Sequence, residues 1–162
     1  MSRTIYLGSF WAELPEGTAR FSVARWNPRE LKLPVLRNLA PVTQSGRPID
    51  KRLGAAEYLK QYALALVSRQ QKIIQDLSHI TGDSVGLLCW ERMYSNRPPG
   101  LMCHTILLGW LLQEKPWLVG GEVEVVFLEG RQYPVWTGED RQTFLQSVGS
   151  IWVAPAKEEV LE

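Results

Sequence analysis

Both cysteines of the chain, one of its two histidines and a glutamate fall within sixteen residues, as Cys89, Glu91, Cys103 and His104. A thiol, a carboxylate and an imidazole are the groups from which nucleophilic and acid–base catalysis are assembled. In one arrangement Glu91 orients His104 and His104 activates Cys103. It meets a steric objection: adjacent residues of a helix point about 100° apart, so Cys103 and His104 cannot readily pair side by side. The same four groups are ligand types that zinc accepts, but there is no Cys-x-x-Cys pair and two of the candidates are neighbours, so no metal is expected. The non-catalytic alternative is a buried core thiol at Cys89, with Glu91 and His104 sharing a structural hydrogen bond.

The elements that must position these groups can be read from periodicity. Val85 to Trp90 is a continuous apolar run bounded by charge, which predicts a strand buried on both faces. If that strand stays extended through Glu91, Cys89 and Glu91 share one face and Trp90 takes the other. Leu101 to Leu112 is apolar almost all round after Pro98-Pro99-Gly100. It predicts a buried helix with Cys103 and His104 in its first turn, stopped at Gln113-Glu114-Lys115-Pro116. Ala55 to Leu77 carries an apolar stripe at helical spacing and predicts one long amphipathic helix.

Thr4 to Gly8 and Arg20 to Arg25 predict strands, followed by a long loop punctuated by Pro28, Pro34, Pro41, Gly46 and Pro48. Glu122 to Leu128 and Tyr133 to Trp136 predict strands joined by Glu129-Gly130-Arg131, and Gly138-Glu139-Asp140 opens a short helix through Val148. This order predicts one α/β domain over residues 1 to 162: a small three-layer, Rossmann-like, mostly parallel sheet with flanking helices and a C-terminal β extension, whose hairpin could add an antiparallel edge.

In such sheets ligands bind in the crevice beyond the carboxyl ends of the strands, where Cys89 and Glu91 end a strand and the next helix returns Cys103 and His104. Arg25 closes the second predicted strand, and its guanidinium suits phosphate or carboxylate, or a salt bridge to Glu91. Trp11, Trp26, Trp90, Tyr58 and Tyr62 belong to the elements around that crevice, and flat rings can stack on a nucleobase.

Composition narrows the classes. A chain of 162 residues with 45% hydrophobic content is enough for one buried core. Two cysteines make no disulfide framework, and no signal segment or twenty-residue apolar span appears, so a soluble cytoplasmic protein without a membrane partner is expected. The net charge of +1 conceals an asymmetry: residues 1 to 60 hold ten Lys/Arg against five Asp/Glu, and the remainder eight against twelve. A basic first third suits a small anionic or nucleotide-like ligand, while a pI near 7.8 gives no strong signal for duplex nucleic acid. Without a Walker-type loop, a Gly-x-Gly-x-x-Gly turn or a Gly-x-Ser-x-Gly elbow, no cofactor is implied. Homo-oligomerisation is left open.

Several motifs recur in an order that resembles the bacterial and viral domain of unknown function 488 family. They are Ile5 to Gly8, Arg25-Trp26-Asn27-Pro28, Leu39-Ala40-Pro41, Tyr58 with Tyr62, Leu87-Leu88-Cys89-Trp90-Glu91, and Cys103-His104. The resemblance spans about residues 4 to 112 and leaves the segment beyond Pro116 as an extension. Since the family's activity is not established, the resemblance implies a shared site, not a reaction. Thr105 stands where an arginine usually follows Cys-His, so an anion contact made by that arginine would here be weakened or relocated.

Two classes of function follow. The first is an enzyme acting on a nucleotide, base or glycosidic substrate, of hydrolase or glycosidic-transferase type. In it Glu91, His104 and Cys103 are the catalytic candidates, and Arg25, Trp26, Tyr62, Cys89 and Trp11 hold the ligand. The second is a binder that sequesters a nucleotide-like ligand or docks a protein partner through the same residues.

Overall fold

A computed structural model describes residues 2–50, 53–90, 104–128, 137–149 and 152. Four strands, β1 (Arg3–Ser9), β2 (Ala19–Ser22), β3 (Ser84–Cys89) and β4 (Val123–Phe127), form a parallel sheet in the order β2-β3-β1-β4. The α/β class and parallel sheet expected from the sequence are present. β3 lies between two neighbours, and Val85, Leu87 and Leu88 are fully buried while Cys89 is nearly so. That is the burial expected of an unbroken apolar run with both faces covered.

Register assigns the two faces. Ile5, Leu7, Val85, Leu87 and Phe127 share one face, and Tyr6, Gly8, Gly86 and Leu88 share the other. Helix α3 (His104–Glu114) lies on the first face and comes very close to it at Gly109. A Cβ there would sit 2.4 Å from Leu7 Cδ1 and 2.5 Å from Phe127 Cε1, so only glycine permits this approach. The opposite face is crossed by the connection between β1 and β2. A Cβ on Gly86 would lie 2.8 Å from Leu14 Cδ1, and one on Gly8 would lie 3.5 Å from Ala12 Cβ.

The predicted long helix is two: α1 (Ala55–Ser68) and α2 (Gln70–Ser78), separated at Arg69, whose φ and ψ are −113° and 14°. Ser68 Oγ donates to the Ala65 carbonyl at 2.7 Å, a back-bond that bends helix ends, and the Arg69 guanidinium donates to the Ala40 carbonyl at 3.2 Å. Hydrophobic periodicity runs through such a break unchanged, so the sequence gives no sign of it.

Strand β2 is shorter than predicted, ending at Ser22, where Ser22 Oγ accepts from Ala24 N–H at 3.2 Å and the chain turns away. The C-terminal segment adds β4 parallel to β1, and α4 (Gly138–Val148) opens with a capping box between Thr137 and Asp140. Phe144, Val148 and Trp152 of that segment join the core that contains Tyr62 and Leu66. The strand predicted at Tyr133 to Trp136, its hairpin turn and Leu101 to Cys103 lie outside the described residues. Among the described residues no helix is long and apolar enough to cross a membrane.

The contact at Gly109 yields a prediction. Gly109→Val should lower stability by about 1–3 kcal/mol, because the added branches must displace Leu7 and the Phe127 ring. Urea denaturation measures this, and a variant as stable as the parent would show that α3 does not approach the sheet as described.

Candidate functional site

Three adjacent strands end together. Phe10 N–H donates to the Cys89 carbonyl and Val23 N–H to the Leu88 carbonyl, each at 2.9 Å, so β1, β3 and β2 end level with one another. Just beyond them lies a cavity of about 290 Å³ lined by Ala24, Arg25, Trp26, Pro41, Pro48, Ile49, Cys89, Trp90 and His104. Its volume is near the lower end of small-molecule sites, which run from about 300 Å³ upward.

His104, the first residue of α3, is 4% exposed, and its Nε2 lies 2.8 Å from the Val23 carbonyl oxygen. A carbonyl only accepts, so Nε2 carries a proton and donates it. The edge of the imidazole meets the Tyr62 ring, with centroids 5.5 Å apart at 78°. Tyr62 is fully buried behind His104, not on the cavity wall, and its hydroxyl donates to the Leu39 carbonyl at 2.7 Å. Cys89, 2% exposed, contributes to the floor.

Arg25 and Trp26 form the exposed lip. The guanidinium carbon lies 4.4 Å from the centroid of the Trp26 ring, which is 63% exposed. Among the described lining residues Arg25 carries the one permanent charge. Trp90, which alternation sets on the face opposite Cys89 if the strand stays extended, meets the Phe10 ring edge-on with centroids 5.5 Å apart. β3 ends at Cys89, and the Trp90 indole turns back to donate to the Trp26 carbonyl at 2.6 Å and lines the same cavity. Trp11 stands outside the cavity at its rim, 5.6 Å from the Trp90 ring and 6.0 Å from Phe10.

The structure therefore gathers Arg25, Trp26, Cys89 and His104 around one space and sets Tyr62 and Trp11 behind and beside it. Tyr58 is a core residue, 1% exposed. Glu91 and Cys103 lie outside the described residues. Among the described residues no three His, Cys, Asp or Glu side chains come together as metal ligands.

Sequence reasoning missed the wall formed by Pro41, Pro48 and Ile49. It belongs to the long proline-rich stretch, which is pinned rather than loose. Ser22 bridges to Val35, Val42 bridges to Pro48, and the Leu39 and Ala40 carbonyls accept from Tyr62 and Arg69. Burial pushes the Arg69 guanidinium below its ordinary value, and Tyr62 partly opposes that shift. The signal available in the sequence was the length of the loop itself, since loops of that size in small domains commonly carry function.

Comparisons with protein-family models, with curated proteins and with solved structures found no match for this chain. The chemistry of the cavity thus has to be argued from its own residues.

Scaffold and ligand roles separate in a stability measurement. His104→Ala should cost about 2 kcal/mol or more, because it leaves the buried Val23 carbonyl without its donor. Arg25→Ala, on the exposed lip, should stay within about 0.5 kcal/mol of the parent. Equal losses in chemical denaturation would contradict these assignments.

Proposed function

We propose that the cavity binds a small, flat, anionic ligand of the nucleotide or nucleobase class. The observation that carries this reading is the pairing of an exposed guanidinium and an exposed indole, Arg25 and Trp26, at the mouth of a largely apolar cavity. An aromatic face takes a base by stacking, and a guanidinium holds a phosphate by two parallel hydrogen bonds. The resemblance to the domain of unknown function 488 family supports the same location, because its motifs supply Arg25, Trp26, Cys89 and His104. Thr105, fully buried, stands where that family usually has an arginine, and in this reading Arg25 makes the anion contact instead.

An enzyme of hydrolase or glycosidic-transferase type is the second reading, and one observation favours it. His104 lines the cavity with its ring fixed by Nε2 against the Val23 carbonyl, and a positioned imidazole is a common proton-transfer group. Glu91 follows Trp90 directly in the chain and would be the carboxylate partner.

Tryptophan fluorescence titrations with AMP and UMP, and with adenosine and uridine, test the binding reading. The nucleotides should quench with saturation and bind more tightly than the nucleosides. Arg25→Ala should weaken nucleotide binding about tenfold, roughly 1.4 kcal/mol, and remove most of the difference between nucleotide and nucleoside. Absence of saturable binding, or an Arg25→Ala variant that binds like the parent, would refute the reading. Release of base or phosphate by the parent, abolished in Glu91→Gln with binding retained, would establish the enzyme instead.

A further inference from the structure

The tryptophans at the carboxyl edge are more numerous than one base requires. Trp26 follows β2, Trp90 follows β3 and Trp11 follows β1, and the sheet order sets these strands side by side as β2-β3-β1. The indoles are 63%, 42% and 50% exposed. Trp11 and Trp90 have ring centroids 5.6 Å apart, and Trp90 is bonded to the Trp26 carbonyl at 2.6 Å. With strands about 4.8 Å apart, the row extends about 10 Å along the edge. A single base can occupy one indole face of such a row.

The chain segment that carries the lip and the cavity wall is basic. Residues 20 to 50 hold six Lys/Arg against two Asp/Glu. Arg25, Arg29, Lys32, Arg37 and Arg47 in this stretch are all exposed. Arg47 closes a tight turn, with Thr43 N–H donating to its carbonyl at 2.7 Å, and is followed by Pro48 of the cavity wall.

We infer that the occupant of this edge is a short single-stranded nucleic acid, with one base in the cavity and the next on the outer indoles; this rests on the cavity's taking a nucleotide-like ligand. Successive stacking platforms beside a cationic track are how proteins hold single strands without reading sequence. An acidic peptide would answer the charge but not the rings, and a proline-rich peptide the rings but not the charge. A duplex, with its bases already stacked on one another, offers no free face to the indoles.

The test compares UMP, the octamers (rU)8 and (dT)8, and an abasic octamer of equal phosphate number, by fluorescence quenching at low salt. The octamers should bind at least tenfold more tightly than UMP and the abasic octamer. Trp11→Ala should lower octamer affinity about tenfold and UMP affinity by much less, the retained UMP binding showing that the cavity is still folded. If UMP binds but the octamers bind no more tightly, the extended platform is wrong while the nucleotide cavity stands. If the abasic octamer matches (rU)8, charge alone accounts for binding and the stacking row is refuted. Failure of every probe to bind removes both readings.

Discussion

The hydrogen bond from His104 to the Val23 carbonyl is the joint on which the carboxyl edge depends. Val23 sits one residue past the end of β2, and its carbonyl needs a donor in a buried setting. His104 supplies it from the first turn of α3, which lies eighty-one residues further along the chain. One contact thereby fixes the start of the helix, the end of the strand and the direction in which the chain leaves toward Arg25 and Trp26. Behind the imidazole, Tyr62 links the same joint to α1 and, through its hydroxyl, to the long loop at Leu39. A cavity wall can then be built from a loop whose backbone is held by hydrogen bonds.

The sheet permits this because it is covered closely on both faces. Gly109 lets α3 approach Leu7 and Phe127, and Gly86 leaves room for Leu14 on the other side. Rigid support beneath and irregular backbone above is the usual division of labour between scaffold and site. The half-buried Arg69 at the α1/α2 break serves the scaffold too: it stays protonated despite the lowering effect of burial and holds the Ala40 carbonyl beside the Pro41 wall.

Much of this was legible in the sequence. The run from Val85 to Cys89 could be read as a doubly covered strand from its unbroken apolar character. The helices α3 and α4 followed from an all-apolar segment and an acidic first turn. What the sequence concealed were decisions made by tertiary contacts. The break at Arg69 has no glycine or proline to announce it, since a side chain reaching to Ala40 accompanies it. Alternation alone does not place Trp90, because β3 ends at Cys89 and a hydrogen bond to the Trp26 carbonyl decides where the indole goes. His104 was singled out by its residue type, but its partner, a backbone carbonyl, leaves no mark in a sequence. Glu91 and Cys103, chosen on the same grounds, lie outside the described residues, so the reading of the site rests on Arg25, Trp26, Trp90 and His104.

The central claim is that a preformed cavity at this edge is where the ligand binds. Nitrogen-edited NMR of the tryptophan and histidine side-chain N–H groups during titration with UMP tests it most directly. The account predicts saturable shifts of the Trp26 and Trp90 indole signals, no movement of the buried Trp110 and Trp152, and a His104 Nε2–H that stays protected throughout while the exposed His79 exchanges freely. Shifts centred on Trp110 or Trp152, or a His104 ring exchanging like His79 before any ligand is added, would contradict it.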